Sequence, residues 1–185
     1  MKTYIFSNCK KNDLKTYESN LLAKIPLDSR LVILNKGEVY YQIKAFTKYK
    51  NQIMILRTCG SHGLRGYFGL QNIVGTDRVK IVSDIICFDP RGSLSVLQIG
   101  HQDGTVDEKL IKTPWNNEYE AATNGKAVTT GYAAYYLVQD LYDVKPEDIY
   151  LVNFYGNNDA STDKWNGHAW DFEDKWLQDK QRIYC

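Results

Sequence analysis

Three short segments of this chain are apolar without a break: Tyr4-Ile5-Phe6, Leu31-Val32-Ile33-Leu34 and Ile53-Met54-Ile55-Leu56. A strand that is apolar at consecutive positions must bury both faces, and parallel sheets covered by helices on both sides meet that requirement. Each run is four or so residues long and is separated from the next by a stretch of mixed polarity that suits a helix. The pattern predicts strands over 3–8, 30–35 and 52–57, with helices over 16–24 and Tyr40 to Tyr49. Further strands are expected over Val79 to Phe88, Leu94 to Ile99 and Ile149 to Phe154. Helices are expected over Tyr132 to Leu141, where Thr129 or Thr130 suits the N-cap, and over Trp170 to Asp179. Thr58 to Gly75 reads as a long glycine-rich loop, and 100–128 as polar and irregular around one uncertain helix. The fold class is therefore α/β: one domain over 1–185, with a mostly parallel sheet between two helical layers.

Composition agrees with a globular chain: 43% hydrophobic and 24% charged over 185 residues. No apolar run approaches the roughly 18 residues of a membrane span, and the segment Met1–Asn8 is too short for a signal peptide, so a cytoplasmic location is expected. A formal net charge of +1 argues against a nucleic-acid coat protein. That total conceals an asymmetry. Residues 1–50 carry ten Lys/Arg against four Asp/Glu, and residues 101–185 carry eight against fifteen. A basic front third suits an anionic ligand or anionic lipid, unless folding interleaves the two ends and cancels the fields. The four cysteines (Cys9, Cys59, Cys87, Cys185) form no CxxC pair and the three histidines have no helical spacing, so neither disulfides nor a zinc site is expected.

In open α/β sheets, ligands bind beyond the carboxyl ends of the strands. Three segments are expected there: Ser7-Asn8-Cys9-Lys10-Lys11-Asn12, Asn35-Lys36-Gly37, and the helix starts at Thr129-Thr130-Gly131 and near His168. Amides and hydroxyls suit a ribose and a base, and a helix N-terminus suits a phosphate. Asn and Gly after strands serve equally well as turn residues, and a Thr before a helix as a simple cap. The GxGxxG, GxxxxGK[ST], GxSxG and HExxH patterns are all absent. His168 is the best candidate for an acid or base. Glu173, five residues on, cooperates with it only if His168 lies on the loop and Glu173 reaches back from the first helical turn.

The order of these pieces resembles the sialyltransferase superfamily, most closely the family that includes the animal enzymes and small bacterial relatives. Tyr4-Ile5-Phe6-Ser7-Asn8 and Leu31-Val32-Ile33-Leu34-Asn35 look like the two pieces of its large motif. Val128-Thr129-Thr130-Gly131-Tyr132 followed by Ile149 to Phe154 looks like its small motif, and His168 to Glu173 like its terminal His-x4-Glu. The resemblance implies a Rossmann-like, GT-B-variant domain. Its activity would be the transfer of a sialic-acid-like sugar from a CMP-linked donor to a glycan or lipid-linked oligosaccharide acceptor, inverting and without a metal or other cofactor. It implies that Asn8, Lys10, Asn35, Thr129, Thr130 and Gly131 hold the donor nucleotide and that His168, with Glu173, forms the catalytic pair. Peripheral association with the inner face of the membrane also belongs to this expectation. The chain departs from the family pattern at Cys9-Lys10-Lys11, at Ile33-Leu34 where an Arg precedes the second Asn, and at Tyr155-Gly156-Asn157-Asn158 where a histidine motif falls. Two readings from other classes remain: a nucleotide-binding or nucleotide-hydrolysing protein of the same fold, and a partner-binding domain that uses its 14 tyrosines and four tryptophans as a contact surface.

Overall fold

β1 (Thr3–Phe6) is flanked on both sides by parallel partners, β2 (Arg30–Leu34) on one edge and β7 (Ile149–Val152) on the other. The computed structural model describes residues 1–7, 9, 11–35, 40, 42–57, 83–101, 103, 105–156 and 166–185. The remaining strands are β3 (Asn51–Arg57), β4 (Asp84–Arg91), β5 (Leu94–His101), β6 (Val106–Lys112) and β8 (Arg182–Ile183). They form one eight-stranded sheet in the order β6-β5-β4-β3-β2-β1-β7-β8. All neighbours pair in parallel except β4–β5 and β5–β6, which add an antiparallel extension at one edge.

The consecutive apolar residues sort by alternation onto two faces. Tyr4, Phe6, Leu31, Ile33, Met54, Ile85 and Cys87 face one core, under α1 (Leu14–Lys24) and a 3-10 turn at Lys44–Lys48. Ile5, Val32, Leu34, Ile53, Ile55, Ile86 and Phe88 face the other, under α2 (Pro114–Ala122), α3 (Thr130–Tyr142) and α4 (Trp170–Gln178). α1 starts where Asp13 accepts from the backbone of Lys15 and Thr16, both at 3.0 Å, and from the Thr16 hydroxyl at 2.7 Å. Those bonds hold the Asp13 carboxyl below its usual range. α3 starts at Thr129, whose hydroxyl accepts from the Tyr132 N–H, and ends at Asp143 in the left-handed conformation. Among the described residues, no helix is long and apolar enough to cross a membrane.

Two expectations are corrected. The 100–128 segment holds the helix expected within it, α2, but ahead of that helix it is a strand, β6, and not irregular. β6 reads Val-Asp-Glu-Lys-Leu-Ile-Lys and lies at the sheet edge, so no buried face imprints an apolar alternation. The helix expected over Tyr40 to Tyr49 is interrupted: Tyr40 and Gln42 are helical, Ile43 is extended, and a short 3-10 turn follows at Lys44–Lys48. The buried amide of Gln52 donates to the carbonyls of Phe46 (2.7 Å) and Tyr49 (2.6 Å), bending that segment onto β3. β5 belongs to the sheet but runs antiparallel. The loop expected over Thr58 to Gly75 and the start of the strand expected from Val79 lie outside the described residues. Cys9, Cys87 and Cys185 are buried thiols, and burial pushes Cys87 up to about 12 and Cys185 up to about 11.

The antiparallel extension is stapled to the parallel sheet by a histidine. His101 at the end of β5 places Nδ1 3.2 Å from Asp84 of β4 and Nε2 3.1 Å from Asp107 of β6. The Tyr142 hydroxyl of α3 donates to the second Asp84 oxygen at 3.0 Å, and the Arg30 guanidinium stacks over the Tyr142 ring. The hydrogen bond to Asp107, opposed by partial burial and reinforced by Asp84, holds the His101 imidazolium to higher pH than an ordinary histidine. A group whose folded pKa is raised contributes stability fully below its unfolded value and loses it as pH rises through the folded value. The Tm difference between the wild type and His101→Gln is therefore expected to be largest at about pH 6 and below, and to shrink as pH rises past the ordinary histidine range. Thermal melts across that range check it, and a difference that grows with pH would refute the staple.

Candidate functional site

The direction of winding reverses between β1 and β7. From β1 the chain steps outward through α1 to β2, and from β7 it steps the other way through α4 to β8, with the two helices on opposite faces. At such a reversal the connections leave in opposite directions, and a crevice opens beyond the carboxyl ends of the two strands. Phe6 and Val152 are in register there, and the next residues continue the contact. The Ser7 N–H donates to the Val152 carbonyl at 3.1 Å, the Ser7 hydroxyl donates to the Asn153 carbonyl at 2.6 Å, and the Cys9 N–H donates back to that hydroxyl. Asn153 turns in the left-handed region (φ 60°), is fully buried, and accepts from the Cys185 N–H at 2.8 Å through its side-chain oxygen. Lys11 lies over the Tyr155 ring at 4.0 Å, adding a cation on the same side.

The N-terminus of α3 covers this end of the sheet. Asn35, directly after β2 and also left-handed (φ 51°), is within 3.1 Å of the Thr130 hydroxyl through its side-chain nitrogen. Gly131 meets the edge of the Phe154 ring so closely that a Cβ there would overlap it. The first turn of α3 is thus pressed between the ends of β2 and β7, with its backbone N–H groups at the reversal.

Residues 166–173 brace the segment that leads into α3. His168 is half-buried in the bend before α4, and its Nδ1 sits 2.6 Å from the Ala127 carbonyl. A carbonyl only accepts, so Nδ1 carries the proton and the lone pair of the neutral ring is on Nε2. Ala127 in turn donates its N–H to Gly167 at 2.9 Å. Glu173 is 6% exposed and is gripped by three donors: Thr129 N–H (3.0 Å), the Thr129 hydroxyl (2.5 Å) and the Tyr119 hydroxyl (2.8 Å). The Tyr119 hydroxyl accepts from the Ala169 N–H at 3.0 Å, directly beside His168.

Of the eight residues expected at the site, six are described, and Asn8 and Lys10 lie outside the described residues. The structure brings Asn35 to Thr130, Thr129 to Glu173 and His168 to Ala127. His168 lies on the loop and Glu173 in the first turns of α4, the arrangement their spacing requires. Their meeting place is the Ala127–Thr129 strap, which each holds at a different point. Tyr119 and Asn153 escaped the sequence reading. Tyr119 lies in the helix expected within 100–128, where no motif singles it out, and Asn153 falls inside the strand expected over Ile149 to Phe154; an Asn one residue past a strand, as at Asn35, is the available signal for the latter. Comparison with protein-family models, with curated proteins and with solved structures finds no match to this chain.

Glu173→Ala leaves the Thr129 backbone donor and two hydroxyls without their acceptor in a dry site, for an expected loss of about 2–4 kcal/mol, and Tyr119→Phe about 1–2 kcal/mol. Urea denaturation measures both. Losses below half a kcal/mol would show that the carboxylate is not a junction. Gly131→Ala is expected to cost about 1–2 kcal/mol, since overpacking outweighs the helical preference of Ala. Phe154→Leu in the same chain should recover most of that loss, whereas a purely conformational role for Gly131 would show no recovery.

Proposed function

We propose that this chain is a glycosyltransferase of sialyltransferase-like, Rossmann-type (GT-B-variant) fold, which moves a sialic-acid-like sugar from a CMP-linked donor to a glycan or lipid-linked acceptor. The observation that carries the reading is that one hydrogen-bonded frame holds both the N-terminus of α3 at the β1/β7 reversal and a histidine whose Nδ1 is committed to a backbone carbonyl. A helix N-terminus suits the donor phosphate, because its dipole favours negative charge there. Asn8, Lys10 and Asn35 would hold the nucleotide alongside Thr129, Thr130 and Gly131, and Lys11 lies at the same end of the sheet.

In the proposed reaction the acceptor hydroxyl attacks the anomeric carbon from the face opposite the phosphate. The new C–O bond forms as the bond to the phosphate oxygen breaks, CMP departs with that electron pair, and configuration inverts. The hydroxyl proton passes to Nε2 of His168, since a hydroxyl is a weak nucleophile until a base takes its proton. Glu173 serves as a positioning residue: with its oxygens occupied by Thr129 and Tyr119, it fixes the strap that orients His168 and caps α3. Helix dipole and lysine charge offset the developing charge on the leaving phosphate, so the reading requires no metal.

The test has two parts. CMP at 100 times its dissociation constant should stabilise the chain by about 2.7 kcal/mol in thermal unfolding, with UDP and GDP far weaker. His168→Ala should retain that response and lose roughly 10²–10⁴-fold in transfer from a CMP-sugar. Failure of CMP to stabilise the chain sinks the donor assignment. Undiminished transfer by His168→Ala sinks the base.

A further inference from the structure

We propose that the chain forms a symmetric dimer by pairing β6 with β6 of a second copy, antiparallel and centred on Leu110. Among the described strands β6 ends the sheet: β5 takes one of its edges and no strand takes the other. The opposite end of the sheet is β8, whose two residues are too few to template a partner. In an antiparallel pair, alternate residues turn their backbone groups toward the partner strand and the rest turn them away. The Thr113 N–H donates to the Ser93 carbonyl at 2.7 Å, and the His101 N–H to the Thr105 carbonyl at 2.9 Å. In the register that joins β5 to β6, Asp107, Lys109 and Ile111 therefore bond to β5. Val106, Glu108, Leu110 and Lys112 point their N–H and C=O groups outward, and all four are exposed. Such a row of outward peptide groups is a template for another strand.

The side chains of β6 select a second copy as the occupant. Those of the same four residues share one face of the sheet with Leu94 and Val96 of β5. That face is apolar and open: Leu110 is 62% exposed, and Leu94 and Val106 are each 43% exposed. Among the described residues, the core under α1 takes nothing from β5 or β6. A twofold axis normal to the sheet sets each residue opposite one on the same face, so the residue on the axis fixes every pair. With Asp107, Glu108, Lys109 or Lys112 on it, two like charges would meet directly. An axis at Val106 would run the pairing off the strand, and one at Ile111 would set Glu108 against Pro114, which has no N–H to donate. With Leu110 on the axis, Leu110 meets its own copy, and Glu108 meets Lys112 of the second copy on both sides. Three outward-facing pairs result, each exchanging two backbone bonds, with an apolar contact flanked by two ion pairs. The contact is small, so the dimer depends on concentration. It lies far along the sheet from the β1/β7 reversal and stands whether or not the chain transfers sugars.

Analytical ultracentrifugation of the full chain over a concentration series up to about 1 mM reads the dimer directly. Glu108→Lys and Lys112→Glu should each weaken it by roughly tenfold, because two attractive pairs become two repulsive ones. Both positions are exposed, so each variant should keep the wild-type melting curve at low concentration. An equimolar mixture of the two single variants should recover association, since each chain then offers the other the opposite charge at both contacts. The double variant E108K/K112E should dimerise as the wild type does. A chain that stays monomeric throughout the series overturns the proposal and leaves a strand of a different protein as the occupant of the edge. A dimer indifferent to both substitutions places the contact elsewhere, and losses that the mixture does not repair refute the Leu110-centred register.

Discussion

The carboxylate of Glu173 joins the three helices on one side of the sheet. It sits in α4, takes the hydroxyl of Tyr119 from α2, and takes both the N–H and the hydroxyl of the Thr129 cap of α3. A buried carboxylate is costly unless donors replace its water, and here three do. The Thr129 hydroxyl that donates to Glu173 also accepts from the Tyr132 N–H, so capping of α3 and placement of α4 are one interaction. Because of this junction, the distance between the His168 bend and the first turn of α3 is a property of the packed helices and not of a loop.

The sheet supplies the other half of the constraint. A parallel sheet can change its direction of winding only where two neighbouring strands send their connections opposite ways, and β1 and β7 do so here. Both strands that flank β1 are followed directly by an asparagine with positive φ, Asn35 and Asn153, within one residue of the same level along the sheet. Asn tolerates that conformation at less expense than most residues because its short side chain makes local hydrogen bonds. Gly131 then lets α3 approach the end of β7 without a side chain between them. The small residue, the two left-handed turns and the buried carboxylate are separate devices with one geometric outcome: a helix start held over the strand ends.

How much of this was legible in the sequence depended on whether burial left a mark. β1, β2 and β3 bury both faces, so their unbroken apolar runs identified them within about two residues. α3, packed on the sheet and capped by Thr129, was equally plain. β6 is exposed along nearly its whole length and β8 pairs through two residues, so neither had a core to record. At the site, the types and spacing of Thr129, His168 and Glu173 were readable, but not that the last two grip one strap at different points. Tyr119 contributes a single hydroxyl from an element with no periodic signature, and only three-dimensional packing reveals it.

Charge shows the same distinction between composition and placement. A total of +1 describes either an even mixture or two opposed layers, and the sequence order alone could not separate them. What separates them is topology: the chain winds outward from β1 with its first fifty residues and returns to the opposite edge of β1 only with β7. Right-handed crossovers in opposite directions must fall on opposite faces of the sheet. α1 and the turn at Lys44–Lys48 therefore cover one face, and α2, α3 and α4 the other. The reversal between β1 and β7 is thus also the reason the first and last helices of the chain lie on opposite faces of the sheet.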